Sequence, residues 1–335
     1  MRPHSIVQRI GRLAWLGILA AATVALAAPA EIQTIDLPLR PGLRSVERLV
    51  LLPEGLYGVT LGEAGEIGYV HLEADGEKAV KVAALPDGVV EPLEVADRDS
   101  CFTWAPTPGT AYSLSPSGKL LKHTGRGAQR KTEELGQVSG TRPFENKPHT
   151  TAEGCQRSRV MFFDAPGDLY TAGKDGFLFR YSPATGTLEQ LPARLPAVRG
   201  REPWASLDAA TRGPDGLVYG GTFDGYLFSL DLKTLKVVNL GKPLRQQRMP
   251  GLVCRDGKLY GIGGEEDGYP RTFVFDPATR GFTLGGPVQT EVTPGHGPRS
   301  LYEFSAPALV VDPLGRIYLA TTGRHGKLYR WNPRR

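Results

Sequence analysis

Cysteine, histidine, methionine and tryptophan are scarce in this chain: three, six, three and four among 335 residues. So few His and Cys argue against a metalloprotein, and none falls in a zinc or redox spacing. Long apolar runs are missing after the first 30 residues, so no later segment is apolar enough to span a bilayer, which takes about 20 residues. The formal net charge is +5 and the pI about 9.0. Even so, there is no Lys/Arg run of the kind that marks nucleic-acid binding. Gly-x-Ser-x-Gly, HExxH and P-loop elements are absent too, which leaves serine hydrolase, zincin and nucleotide-binding readings without a motif.

What is abundant is turn-forming residues, 42 glycines and 28 prolines, as a protein of short strands requires. The N-terminus has a different character. Arg2, Arg9 and Arg12 precede an apolar run from Leu13 to Leu26. Ala25-Leu26-Ala27 and Ala28-Pro29-Ala30 both fit the small-residue cleavage pattern of a secretory signal peptide. We expect residues 1–30 to be that signal and residues 31–335 to be one domain, exported to the periplasm or beyond. No Cys follows the cleavage site, which speaks against a lipid anchor, and without adjacent Arg residues the general secretory route is the simpler expectation. An oxidising compartment allows one disulfide and one free thiol among Cys101, Cys155 and Cys254. Cys101 (SCFTW) and Cys254 (GLVCRDG) sit in apolar strand contexts and read as core.

A phrase recurs along the chain. It reads GDLYTAGKDGFLFRYSPATGTLEQLP from Gly167 and DGLVYGGTFDGYLFSLDLKTLKVVNLG from Asp215. It returns as DGKLYGIGGEEDGYPRTFVFDPATRGFTLGG from Asp256 and LGRIYLATTGRHGKLYRWNP from Leu314. Each copy is an alternating apolar strand, a Gly-rich turn, a second strand, a turn and often a third strand, which is the pattern of a β-propeller. One aromatic anchors each copy: Tyr57, Phe102, Tyr170, Tyr219, Tyr260 and Tyr318, at intervals of 45, 68, 49, 41 and 58 residues. Most match the roughly 40–50 residues of propeller repeats. The two long intervals read as a blade plus an insertion, one of them Gly125 to Gly154. The expectation is all-β, a single closed propeller of six blades, or seven if that polar stretch hides a degenerate one. The last copy ends after its third strand, so Ile32–Leu39 is expected to supply the outer strand beside Leu328–Trp331. Asp-Gly pairs at Asp175, Asp215, Asp224 and Asp256 read as hairpin turns.

The phrase from Tyr219 to Pro243, with SPATGTL and DPATRGF in neighbouring copies, resembles secreted bacterial propellers of the streptogramin lyase, gluconolactonase-type and NHL-type group. The resemblance covers the C-terminal half well and Ser45–Gly154 poorly. It implies the fold, and it suggests a polysaccharide or lactone lyase as one activity. The Gly-Gly pairs at Gly220 and Gly263 are similar to those of kelch repeats, but the kelch Trp is missing, as are WD dipeptides. The gluconolactonase-type metal ligands find no match here, so no metal or cofactor is expected. The acidic turn Glu265–Asp267 is a weak cation signal, since Ca²⁺ takes 6–8 oxygen ligands.

Unusual residues concentrate in the connections between copies. They include Arg159 in one, Arg199, Arg201, Glu202 and Trp204 in the next, Arg245 and Arg248 in the third, and His296, Arg299, Tyr302 and Glu303 in the last. Successive connections of this type share one face of a propeller. Arg suits the bidentate grip of carboxylate, phosphate or sulfate. We therefore expect an anionic ligand, an acidic saccharide or similar, at Arg201, Trp204, Arg248 and Arg299, or else a protein partner on that face. The lyase reading instead needs a base from His149, His296 and Tyr302, with Arg201, Arg248 and Arg299 neutralising the acidic group. Glu202 and Glu303 are the adjacent carboxylates that would make the Arg cluster structural. His71 and His123 read as exposed side chains on outer strands. A monomer without nucleic-acid partners or stable membrane insertion is expected.

Overall fold

Second strands here are buried on both faces and outer strands are largely exposed, and short Asp-Gly, Pro or Lys-Thr turns separate them, so they pair with their sequence neighbours. In the computed structural model they build six blades of four antiparallel strands, four as separate sheets and two joined into one eight-stranded sheet by the Ser45–Thr322 pair. The structure describes residues 31–333 except 36, 38–42, 63–65, 74, 77, 93–100, 116, 139–157, 174–175, 203–204, 265–269, 289–304 and 323–326. Blade 1 is β2 (Leu43–Leu52), β3 (Gly55–Gly62), β4 (Ile67–Leu72) and β5 (Ala79–Val82). Strand β1 is Glu31–Ile35, the first strand of the chain. Blade 2 is β6 (Cys101–Trp104), β7 (Thr110–Leu114), β8 (Lys119–Thr124) and β9 (Lys131–Gln137). Blade 3 is β10 (Phe162–Phe163), β11 (Leu169–Ala172), β12 (Phe177–Ser182) and β13 (Thr187–Arg194). Blade 4 is β14 (Leu207–Arg212), β15 (Val218–Thr222), β16 (Leu227–Asp231) and β17 (Lys236–Gly241). Blade 5 is β18 (Gly251–Arg255), β19 (Lys258–Gly263), β20 (Arg271–Asp276) and β21 (Gly281–Pro287). Blade 6 joins β22 (Ser305–Val311), β23 (Ile317–Thr322) and β24 (Leu328–Asn332) to β1.

The seam is closed by the two ends of the chain. β1 runs antiparallel to β24 with Ile32 opposite Trp331 and Ile35 opposite Leu328. Inner strands of successive blades pack on one another, β14 on β18, β18 on β22 and β22 on β2. The core is a series of apolar wedges between blades. Tyr170 and Leu178 of blade 3 meet Leu207 and Phe228 of blade 4. Tyr219 and Leu227 of blade 4 meet Leu259 and Phe273 of blade 5, and Tyr260 of blade 5 meets Tyr329 and Trp331 of blade 6. Ile35 and Tyr318 of blade 6 meet Val46 and Leu56 of blade 1. A ring sealed this way leaves no exposed inner edge. The protein is thus an all-β, six-bladed propeller.

Local sequence explains the repeats. In the first turn of blades 3 and 4 an Asp caps the anchoring Tyr. The Tyr170 hydroxyl donates to Asp164 Oδ2 at 3.1 Å and the Tyr219 hydroxyl to Asp215 Oδ2 at 2.8 Å. The glycine after the Tyr is set by close approach. A Cβ on Gly220 would stand 2.3 Å from the Phe228 ring, and one on Gly261 2.1 Å from the Phe273 ring. The ring of the third strand lies over the glycine of the second, which accounts for the Tyr-Gly pattern.

Three details differ from the sequence reading. The anchor of blade 2 is Tyr112 on the second strand, the place that Tyr57, Tyr170, Tyr219, Tyr260 and Tyr318 hold in their blades. Phe102 lies one strand inward, on β6. The polar stretch after Gly125 is in part a strand, because β9 (KTEELGQ) is the outer edge of its blade and both its faces meet solvent. Polar composition over residues 131–137 reports position in the blade; residues 139–154 of the expected insertion lie outside the described residues. Cys101 and Cys254 are free thiols, so neither forms the disulfide that the sequence allowed, and Cys155 lies outside the described residues. Burial pushes the Cys101 thiol up to about 12.

The histidines are also placed differently. His71 stacks on Tyr57, ring centroids 4.5 Å apart. His123 is 1% exposed, with Nε2 2.8 Å from Ser113 Oγ and Nδ1 3.0 Å from Thr132 Oγ1. A third strand is covered by both its neighbours and by the next blade, so its polar side chains need internal partners. Burial first, and then the charge of Arg130, lowers the His123 pKa below 6.5. The unfolded chain therefore binds a proton that the fold excludes once pH drops below 6.5, and stability is lost until pH reaches the folded value. Urea unfolding from about pH 7.5 to about pH 5 should show this slope in the wild type and a flatter one in His123→Gln. Equal slopes would contradict the assignment.

Candidate functional site

Antiparallel strands alternate direction, so the connection between blades and the turn between second and third strands meet at the same end of the ring. On that end, blades 3, 4 and 5 bring charged side chains together. The pattern starts at Asp208 near the beginning of β14, an acidic residue in an otherwise apolar inner strand (SLDAA). It is 2% exposed. A buried carboxylate is costly unless paired and hydrogen-bonded. The partner is Arg248, from the connection between blades 4 and 5. Its Nε donates to Asp208 Oδ2 at 2.9 Å and its Nη2 to Oδ1 at 3.0 Å. The Met249 backbone N–H donates to Oδ2 at 2.8 Å. Burial alone would raise the Asp208 pKa. The charge and hydrogen bonds of Arg248, the charge of Arg159 and the Met249 N–H outweigh burial and hold it below 3.8.

Arg248 is itself 5% exposed. Its φ of +70° is a left-handed conformation that non-glycine residues adopt at a cost. Its neighbours fix it there. The Arg248 N–H donates to the Phe223 carbonyl at 2.7 Å, and the Arg248 carbonyl accepts from the Gly264 N–H at 3.2 Å. The guanidinium carbon lies 5.0 Å from the Phe223 ring centroid.

Phe223 opens the turn Phe223-Asp224-Gly225-Tyr226 between β15 and β16. The turn closes because Gly225 takes φ +84° and the Thr222 N–H reaches the Tyr226 carbonyl at 2.9 Å. The Asp224 side chain, nearly buried, accepts from Arg201 Nη2 at 2.8 Å on Oδ1. Lys242 Nζ stands 4.0 Å from the same oxygen. Nζ also lies 5.8 Å from the Tyr226 ring centroid. Desolvation first, and then the nearby Arg201 charge, lowers the Lys242 pKa below 10.5, against the pull of Asp224.

Of the residues expected from sequence, the structure brings two to this turn: Arg201 through Asp224, and Arg248 through Phe223. Their carboxylate partners are Asp224 and Asp208, whereas the sequence pointed to Glu202 and Glu303, the latter outside the described residues. The Glu202 carboxylate accepts from its own N–H and that of Gly200, which lowers its pKa. His149, Trp204, His296, Arg299 and Tyr302 lie outside the described residues, as does the acidic turn Glu265–Asp267. Sequence reasoning missed Asp208, Asp224 and Lys242. An acid inside an apolar inner strand was the available signal for Asp208; Asp224 reads as a turn former, and Lys242 as an ordinary surface charge. Among the described residues no three His, Cys, Asp or Glu side chains stand together as metal ligands would.

No family model matches the chain, and no curated protein does. Solved structures do, 1209 chains of them, so the architecture by itself selects no single activity. A streptogramin B lyase structure is 11% identical, covers 91% of this chain and 98% of its own, and has a TM-score of 0.54. A protein assigned as a gluconolactonase is 17% identical, covers 92% of this chain and 94% of its own, and has a TM-score of 0.51. The class defined by fold and comparison is a six-bladed propeller with lyase-like and gluconolactonase-like structural neighbours.

Proposed function

We propose that this is an exported propeller that binds an anionic ligand, an acidic saccharide or a similar acid, where the loops of blades 3 to 5 meet at the mouth of the ring. One observation carries the reading. A single carboxylate oxygen of Asp224 faces two cations, Arg201 and Lys242, from two different loops. Counted with Asp208, Arg248 and Arg159, four cations stand around two carboxylates among the described residues. Arg201 keeps 43% of its side chain exposed, and so is accessible to a ligand in solution. Buried Arg248 acts as the rigid floor that holds the Phe223–Asp224 turn. Arg299 and Trp204, which lie outside the described residues, are the further ligand contacts that this reading expects.

A second reading is favoured by the streptogramin B lyase likeness. Arg201 would neutralise an acidic oxygen of the ligand, so that the adjacent C–H is acidified, and His149, His296 or Tyr302 would take the proton. The two readings separate in one experiment on the mature chain. Oligogalacturonate, alginate and hyaluronan fragments are titrated calorimetrically beside neutral dextran fragments, and ultraviolet absorbance is followed for an unsaturated product. Acidic fragments alone should bind, more weakly as salt rises, and Arg201→Ala should weaken binding about tenfold, the scale of one charge-assisted contact. Product absorbance selects the lyase reading. Equal binding of neutral and acidic fragments overturns both.

A further inference from the structure

Lys242 combines features that an ordinary surface lysine lacks. Its stem covers the turn: a Cβ on Gly225 would stand 3.1 Å from Lys242 Cε. Its amine lies over the Tyr226 ring, beside Asp224 and, through that carboxylate, beside Arg201. Yet a quarter of the side chain, 25%, remains exposed. The amine is partly desolvated, reachable from solvent, and set next to a guanidinium suited to an anionic group. Desolvation and the Arg201 charge favour the neutral amine, the state that attacks carbonyl carbon, against the opposing pull of Asp224.

We propose that Lys242 captures an anionic aldehyde or ketone as a Schiff base, with Arg201 gripping the ligand's anionic group. This rests on the anion-binding reading above. In the step, the ammonium first releases a proton to water. The free pair on Nζ forms a C–N bond to the carbonyl carbon, and the nitrogen proton moves to the carbonyl oxygen to give a carbinolamine. Protonation of that hydroxyl expels water and leaves the iminium. No oxidant or reductant is consumed. Asp224 keeps Nζ and the guanidinium on the same side of the turn. An oxo acid or an open-chain sugar acid has both required groups.

The test uses pyridoxal 5′-phosphate as an anionic aldehyde probe on the mature protein, followed by borohydride reduction and peptide mass mapping. Pyridoxal, which lacks the phosphate, is the control. Lys242 should be the fastest-labelled lysine, with about a tenfold preference for the phosphorylated probe. Arg201→Gln should abolish the preference, and Lys242→Arg, which keeps the charge, should abolish the label at this site. Labelling spread over other lysines with Lys242 unmodified overturns the proposal and leaves the anion-binding reading to the saccharide titration. Equal labelling of Lys242 by both aldehydes overturns the proposal's anionic requirement and the anion-binding reading together.

Discussion

Asp208→Ala is expected to cost about 3–5 kcal/mol of stability, the usual loss when one member of a buried ion pair is removed. Arg248 would keep its charge at 5% exposure with its bidentate acceptor gone. The Met249 N–H would lose its acceptor as well. Such a loss is a large share of the 5–15 kcal/mol that holds a typical domain together. Urea unfolding of the variant measures it directly. The double variant Asp208→Ala with Arg248→Met should recover part of the loss, because no charge then remains unpaired. The pH dependence has a defined sign. A carboxylate held below 3.8 stabilises the fold above that value and loses the contribution as pH falls through its folded pKa. A single variant within about 1 kcal/mol of wild type would mean that the pair does not anchor the loop.

Removal of β1 should have an effect of similar size for a different reason. Five residues pair with β24, and Ile35 is buried between blades 6 and 1. Burial of Ile35 alone accounts for about 1.5–3 kcal/mol, and its loss would also bare the β24 edge that carries Tyr329 and Trp331. An unprotected edge of that kind pairs with other chains. A chain starting at residue 36 should melt well below the chain starting at residue 31 and scatter light as it is heated. Matching melting curves and no aggregation would show that the ring is closed without this strand.

Both predictions bear on what the sequence made legible. Ring closure was visible because the last repeat lacks its outer strand and Ile32–Ile35 alternates like one. Blade number was visible in the Tyr anchors, although Phe102 stood in for Tyr112. Alternation cannot tell the first strand from the second when both are apolar. β9 was hidden because an outer strand with two wet faces carries no apolar signal. In the candidate site, Arg201 and Arg248 were legible as loop arginines, but their roles were not. The difference between a buried floor and an open cation depends on Asp208 and Asp224, which come from a strand and a turn of another part of the chain. Charge pairs between residues 23 and 40 positions apart leave no local pattern to read.

The most direct measurement is the affinity of Asp224→Asn for oligogalacturonate beside that of wild type. If Arg201 and Lys242 form an anion site, Asp224 both holds them and competes with the ligand for their charge. Asn keeps the side chain's shape and its carbonyl acceptor but removes the negative charge. The account predicts tighter binding, by about threefold to tenfold, the scale of removing one nearby like charge. Affinity unchanged or weakened, in a variant whose melting temperature matches wild type, would contradict it.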